Sequence, residues 1–197
     1  GDNMEEMLKQ ILTELQNVKN KWNELLGKVK VNTPYESLNI ILNGWTMYQT
    51  ISSRILGKTG FYQSGGAYGF RDQLQDAFST RYIDSQILYN QILSAHQFIE
   101  GDVEHWWHDE NDRGIRTRFS DDLLWLPYAV IKYINFTGDY EILNKKTTYL
   151  QGEELKENEN EKYNKYISSN IEESIYEHCK KAIKRACNFG ENGLPKI

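Results

Sequence analysis

Apolar residues recur at alternating intervals of three and four early in the chain, at Leu8, Ile11, Leu15, Val18, Trp22 and Leu25. That spacing predicts an amphipathic helix, which Gly27 ends. About three heptads is a bare minimum for a coiled coil, so the seam is expected to pack on a domain. Thr33-Pro34-Tyr35-Glu36 then gives a helix start, with Thr33 as cap, Pro34 at the first position and Glu36 closing a capping box. Leu38, Ile41, Leu42, Trp45, Ile51 and Ile55 continue as a stripe predicted to be buried. Further helices are predicted over 72–80, 83–99 and 121–136. In the third, Ser120 is the cap, LLWLPYAVIKYI is apolar nearly all round, and Gly138 is the stop. The charged stretch 153–163 lacks apolar periodicity and reads as a solvated loop. Asn170 is expected to cap a last helix through Ile171, Ile175, Cys179, Ala182, Ile183 and Ala186. Convincing strand alternation is lacking, except for a few residues near Arg116 to Phe119. The pattern predicts an all-α fold of six or seven helices, with residues 1–31 as an N-terminal amphipathic helix ahead of the domain at 32–197.

Composition narrows the partners. The 197 residues are 39% hydrophobic and 26% charged, a globular mixture with room for one substantial domain. A net charge of −5 without a basic stripe argues against nucleic acid. The sequence holds no apolar run of the roughly 18 residues a membrane span needs. Cys179 and Cys187 fall about 12 Å apart along one predicted helix, too far to bridge, so a reduced, cytoplasmic setting is expected. Thirteen Tyr and five Trp suit flat polar ligands such as sugars, and suit a core equally well.

Two stretches carry candidate chemistry. In GFYQSGGAYGFRDQLQD, Gly60 to Asp76, glycines allow close backbone approach to a ligand, and Arg71, Asp72, Gln73, Gln75 and Asp76 follow at once. The spacing is not that of a Walker phosphate loop. A carboxylate beside an arginine favours its ionised form, which suits gripping sugar hydroxyls and argues against Asp72 as a general acid. The bland alternative is a turn with Arg71 and Asp76 as a surface ion pair. In HWWHDENDRGIRTRFSDDLLWLP, His105 to Pro127, the histidines are three apart without a metalloprotease glutamate, so no metal is expected. Arg113, Arg116 and Arg118 can bind an anion or pair with Asp109, Glu110, Asp112, Asp121 and Asp122. Trp106, Trp107 and Trp125 can stack on sugar rings, although Trp125 in an apolar helix suits a core.

Taken together, GFYQSGGAYGFRDQLQD, HWWH, RGIRTRFSDDLLWLPYAV and YEHCKKAI followed by FGENGLP closely resemble glycoside hydrolase family 94. That family holds inverting cellobiose and chitobiose phosphorylases and the phosphorylase-like domain of cyclic β-1,2-glucan synthases. The wording is most similar to the glucan-synthase branch, and the resemblance runs from about Asn32 to Pro195. It implies part of an (α/α)6 barrel and phosphorolysis of a β-glucoside, in which phosphate attacks the anomeric carbon and α-glucose 1-phosphate leaves. Inorganic phosphate is a co-substrate of the intact protein, and no cofactor is implied. By resemblance Asp72 holds hydroxyls of the donor-site sugar. Arg71 and the glycine loop shape that subsite, Asp121 and Asp122 shape the cleft, and Gln73, His108 and Arg118 join the substrate-binding set. Cellobiose phosphorylases carry a phosphate-region arginine where this chain has Gly66, a departure that agrees with the glucan-synthase branch.

The family's proton donor lies in a Gly-Asp-Trp-Asn motif just beyond the point matching Gly-Leu-Pro. The expectation is therefore a fragment with a sugar-binding wall and no catalytic acid of its own, inactive alone. It would be completed by the rest of the barrel, or else would self-associate. The alternative is a non-catalytic carbohydrate-binding or assembly module.

Overall fold

A computed structural model describes residues 2–60 and 65–196. The first helix, α1 (Asp2–Leu26), forms as its spacing predicts. Its seam does not find a domain: Leu8, Ile11, Leu15 and Val18 are about half exposed. Only its last turns approach the body. There the Trp22 ring lies 4.9 Å from that of Tyr48, and Lys28 Nζ donates to the Ile83 carbonyl at 2.7 Å.

The next helical run joins α2 (Glu36–Ile40), a π segment (Ile41–Trp45), α3 (Thr46–Gln49) and a second π segment (Thr50–Leu56). Thr33 does not cap its first turn in the predicted way. Its Oγ1 accepts from Tyr35 N and donates to Asn39 Oδ1, bracing the entry loop. The predicted stripe is mostly open. Leu38, Ile41, Leu42 and Trp45 are exposed together, with no described element covering them, and Ile51 is buried.

The body of the domain overturns the all-α expectation. Among the described residues six strands form two antiparallel sheets, making the fold mixed α/β. The larger sheet runs in the order β1 (Tyr68–Gly69), β2 (Glu104–His108), β3 (Arg113–Thr117), β5 (Glu161–Lys165). The smaller pairs β4 (Lys146–Gln151) with β6 (Ile167–Ser174). Against them pack α4 (Phe70–Thr80), α5 (Ser85–Leu93), α6 (Ser120–Thr137) and α7 (Ile175–Ala186). Phe70, Leu74, Leu88, Ile92, Leu126 and Ile175 are central to the shared core.

Each missed strand has a physical cause. A bulge between Glu104 and Trp106 breaks the alternation of β2. In β3 the buried face carries Gly114 and Arg116, so its alternation in burial is not an alternation of apolar and polar residues. The charged "loop" 153–163 runs into β5, a mostly exposed sheet edge carrying Glu161, Lys162 and Lys165, a composition that blocks further pairing. Helix boundaries shift accordingly. α5 stops at Leu93, and residues 94–103 turn back through a bridge between Gln97 and Val103. Residues 167–174 are strand, so α7 starts after Ser174, whose side chain accepts from Glu177 N. Ser120 is the first residue inside α6 rather than its cap. At the far end Gly138 takes a left-handed φ of 72°, which suits the predicted stop.

Arg116 on β3 is fully buried and uses its whole fork. Nε and Nη2 grip Asp102 at 2.5 and 2.8 Å, and Nη2 also reaches Glu100 at 3.0 Å. Nη1 donates to the carbonyls of Glu153 (3.0 Å) and Gly152 (3.3 Å), and the guanidinium lies 4.0 Å over the Phe98 ring. Burial alone would lower its pKa, but the bonds and charges of Asp102 and Glu100 overcome that and raise it. Replacing Arg116 with methionine leaves Asp102 buried without its partner. That change should cost about 3–5 kcal/mol, read as a lower urea midpoint.

His178 on α7 is fully buried. Its Nε2 donates to the Thr147 carbonyl at 3.0 Å, and its ring stacks 4.0 Å from Tyr149. Burial lowers its pKa from the ordinary 6.5, against the opposing pull of the Thr147 bond and the Glu173 charge. Below 6.5 the unfolded chain therefore takes up a proton that the folded chain refuses, and stability falls as pH drops through that value. Urea titrations across this range should show the fall in the wild type and a shallower one in His178→Gln. Glu104, whose pKa burial raises, titrates alike in both proteins and cancels in the comparison.

Candidate sugar-binding site

The site begins where β1 becomes α4. Gly69 is both the last residue of β1 and the cap position of α4. A Cβ there would collide with Asp72 Oδ2, so glycine is what lets the Asp72 carboxylate fold back over the turn. One helical position earlier, Arg71 Nη1 bonds to Asp121 Oδ2 in the first turn of α6. Burial alone would lower the Arg71 pKa. The hydrogen bond to Asp121 and the charges of Asp121, Asp122 and Asp72 outweigh that and raise it. Those charges act together only because α4 and α6 pack with their N-terminal ends adjacent.

Asp122, next on α6, points inward and is 1% exposed. Its Oδ2 accepts from His105 Nδ1 on β2, and its Oδ1 has no partner among the described residues. Arg71, Asp72, Asp121 and Asp122, which the sequence nominated 50 residues apart, thus form one polar cluster with His105 added. It is an open ledge. Arg71 and Asp121 side chains are 38% and 55% exposed, and they lie outside the two hollows described below.

The other nominated residues go elsewhere. Gln73 is buried and donates to the Phe70 carbonyl at 3.2 Å, on the core side of α4. His108 lines a separate hollow of about 370 Å³ with His96, Glu104 and Trp107. Arg118 donates to the carbonyls of Glu159 (2.8 Å) and Lys156 (2.7 Å) and borders another hollow of about 700 Å³. Asp76 pairs with Arg54 at 2.7 Å rather than with Arg71. Trp107 is buried, with His96 stacked 3.7 Å away, whereas Trp106 and Trp125 are half-buried. In the glycine loop, Phe61 to Ser64 lie outside the described residues, and Gly66 has a φ of 76° that glycine adopts without strain. Among the described residues no three metal-ligating side chains converge.

A family model described as "Glycosyl hydrolase 94 superfamily, catalytic domain" matches residues 21–197. The chain belongs to this family. Its glycosyl hydrolase 94 sequence is 40% identical over 186 residues to the cyclic beta-(1,2)-glucan synthase NdvB of Rhizobium meliloti (strain 1021), covering 93% of this chain and 7% of that protein. It is 24% identical over 213 residues to the N,N'-diacetylchitobiose phosphorylase of Vibrio proteolyticus, covering 91% of this chain and 24% of that one. It is 28% identical over 128 residues to the solabiose phosphorylase of Paenibacillus borealis, covering 62% and 15%. The higher identity to the glucan synthase agrees with the branch read from the motifs. The chain spans less than a quarter of the first of these relatives and about a quarter of the second. Among the described residues no helix is long and apolar enough to cross a membrane.

Missing from the nominated set was His105. Its pairing with Asp122 becomes visible once HWWH is recognised as a strand crossing the start of α6. The family's sugar-contact candidates also depend on Gly69. Gly69→Ala should move the Asp72 carboxylate, seen as a shift of its 13Cγ resonance. It should change stability by no more than about 1 kcal/mol, because the backbone there (φ −77°, ψ 133°) suits alanine.

Proposed function

We propose that this chain supplies the sugar-holding wall of a glycoside phosphorylase or glucan synthase-type domain, with a β-1,2-linked glucan as the substrate of the intact protein. One observation carries the reading: Arg71 bonded to Asp121 with Asp72 and Asp122 beside it, in a chain of this family. Carboxylates accept hydrogen bonds and guanidinium donates them, so the ledge can hold a pyranose through several hydroxyls at once. Fixing the donor sugar in this way holds its anomeric carbon for in-line attack.

In the intact protein, phosphate oxygen forms a bond to that carbon from one face as the glycosidic C–O bond breaks on the other. A general acid protonates the departing oxygen, and α-glucose 1-phosphate and the shortened glucan are released. Asp72 and Asp121 take no proton in this scheme; they orient. The acid and the phosphate-binding groups are assigned to other parts of the intact protein. A reduced, cytoplasmic setting accords with the two free cysteines.

The experiment is to incubate a β-1,2-gluco-oligosaccharide and phosphate with the intact protein and, separately, with the 197-residue chain, and to measure glucose 1-phosphate. Release by the intact protein alone is expected. Release by the 197-residue chain overturns the division of labour, and none from the intact protein overturns the phosphorylase reading. In the intact protein Asp72→Asn should lower kcat/KM by about 10- to 100-fold, the effect of losing one or two charge-assisted hydrogen bonds.

A further inference from the structure

We infer that His105 is a further sugar-contacting residue, presenting Nε2 to a hydroxyl beside the Arg71–Asp121 ledge. The inference rests on the sugar-binding reading above. Three independent features of the chain place it there.

The first is the strand. In β2, Glu104 lies opposite Arg116 and Trp106 lies opposite Ile115, so the intervening His105 has no counterpart on β3. Such an extra residue bends a strand and re-aims a side chain, a device common beside active sites. Here it separates two neighbours. Glu104 turns inward, where its Oε2 meets His96 Nδ1 at 2.9 Å and Gly114 leaves room for its Oε1. His105 instead reaches α6.

The second is the partner. Asp122 is a buried carboxylate whose Oδ2 accepts a hydrogen bond from His105 Nδ1. A buried carboxylate that accepts from one ring nitrogen fixes the ring's orientation, leaving the other nitrogen free to meet a ligand. Phe119 packs against the imidazole, 4.9 Å between ring centres, which limits its rotation.

The third is what is left over. The His105 side chain is 25% exposed, and its Nε2 has no hydrogen bond among the described residues. Asp122 follows Asp121 directly in α6, and its charge acts on Arg71. His105 is thus tied to the same ledge through one residue. His105 is bound at Nδ1 and without a partner at Nε2 among the described residues, an arrangement that can hydrogen-bond a sugar hydroxyl.

The test titrates the 197-residue chain with glucose, comparing the wild type, Asp72→Asn and His105→Asn by NMR and calorimetry. Asparagine keeps an N–H for Asp122 and has no atom at the Nε2 position. His105→Asn should melt like the wild type and bind glucose about tenfold more weakly. The Nε2 15N resonance of the wild type should move as glucose is added. If His105→Asn binds glucose as the wild type does while Asp72→Asn binds it weakly, His105 serves only to brace α6, and the inference falls with the ledge reading intact. If the wild type binds no glucose, both fall. Should His105→Asn fail to fold, the wild-type resonance decides: movement supports the contact and a fixed signal overturns it.

Discussion

The guanidinium of Arg116 is the point from which the middle of this domain is hung. A buried arginine is tolerable only when every donor is met, because its desolvation is so costly. Here the partners come from two separate segments: Glu100 and Asp102 before β2, and the Gly152–Glu153 carbonyls after β4. Satisfying one side chain therefore fixes the return from α5, the position of β3 and the exit of the small sheet. The aromatic face of Phe98 closes the remaining side.

With β3 held, the β2–β3 hairpin can lie across the N-terminal end of α6. That places His105 against Asp122, while α4 brings Arg71 against Asp121. Polar groups from one strand and two helices meet although their sequence separations are large. The ledge is rigid where it is buried, at Asp122, and open where a hydroxylated ligand can reach it, at Asp121 and Arg71. This division between a buried support and an exposed contact is what a binding site on regular elements requires. The apolar faces of α1 and of the helical run after it lie outside this arrangement, open to solvent among the described residues.

How much of this was legible depended on whether the signal was local. The family motifs carried the identification, and FRD and SDD marked residues that do converge. Gln73, His108 and Arg118 belonged to the same motifs but point into the core or into other hollows. Adjacency in a motif says nothing about which face of a strand or helix a side chain occupies once bulges intervene. The strands were missed for a related reason. β3 buries Gly114 and Arg116 rather than apolar side chains, β2 is bulged, and β5 is an edge dressed in charge, so clean apolar alternation marks none of them along its length.

The sequence by itself determined α1, the extent of α6 and its glycine stop, the glycine at the β1–α4 turn, and membership of the family. Each depends on backbone preferences or on residue identities within a short span. Only the tertiary structure decided that the fold is mixed α/β, that Arg116 is a buried hub rather than an anion ligand, and that His105 shares the Asp121–Asp122 ledge. Those outcomes depend on pairing between segments far apart in the chain, where burial and hydrogen-bond satisfaction override local pattern.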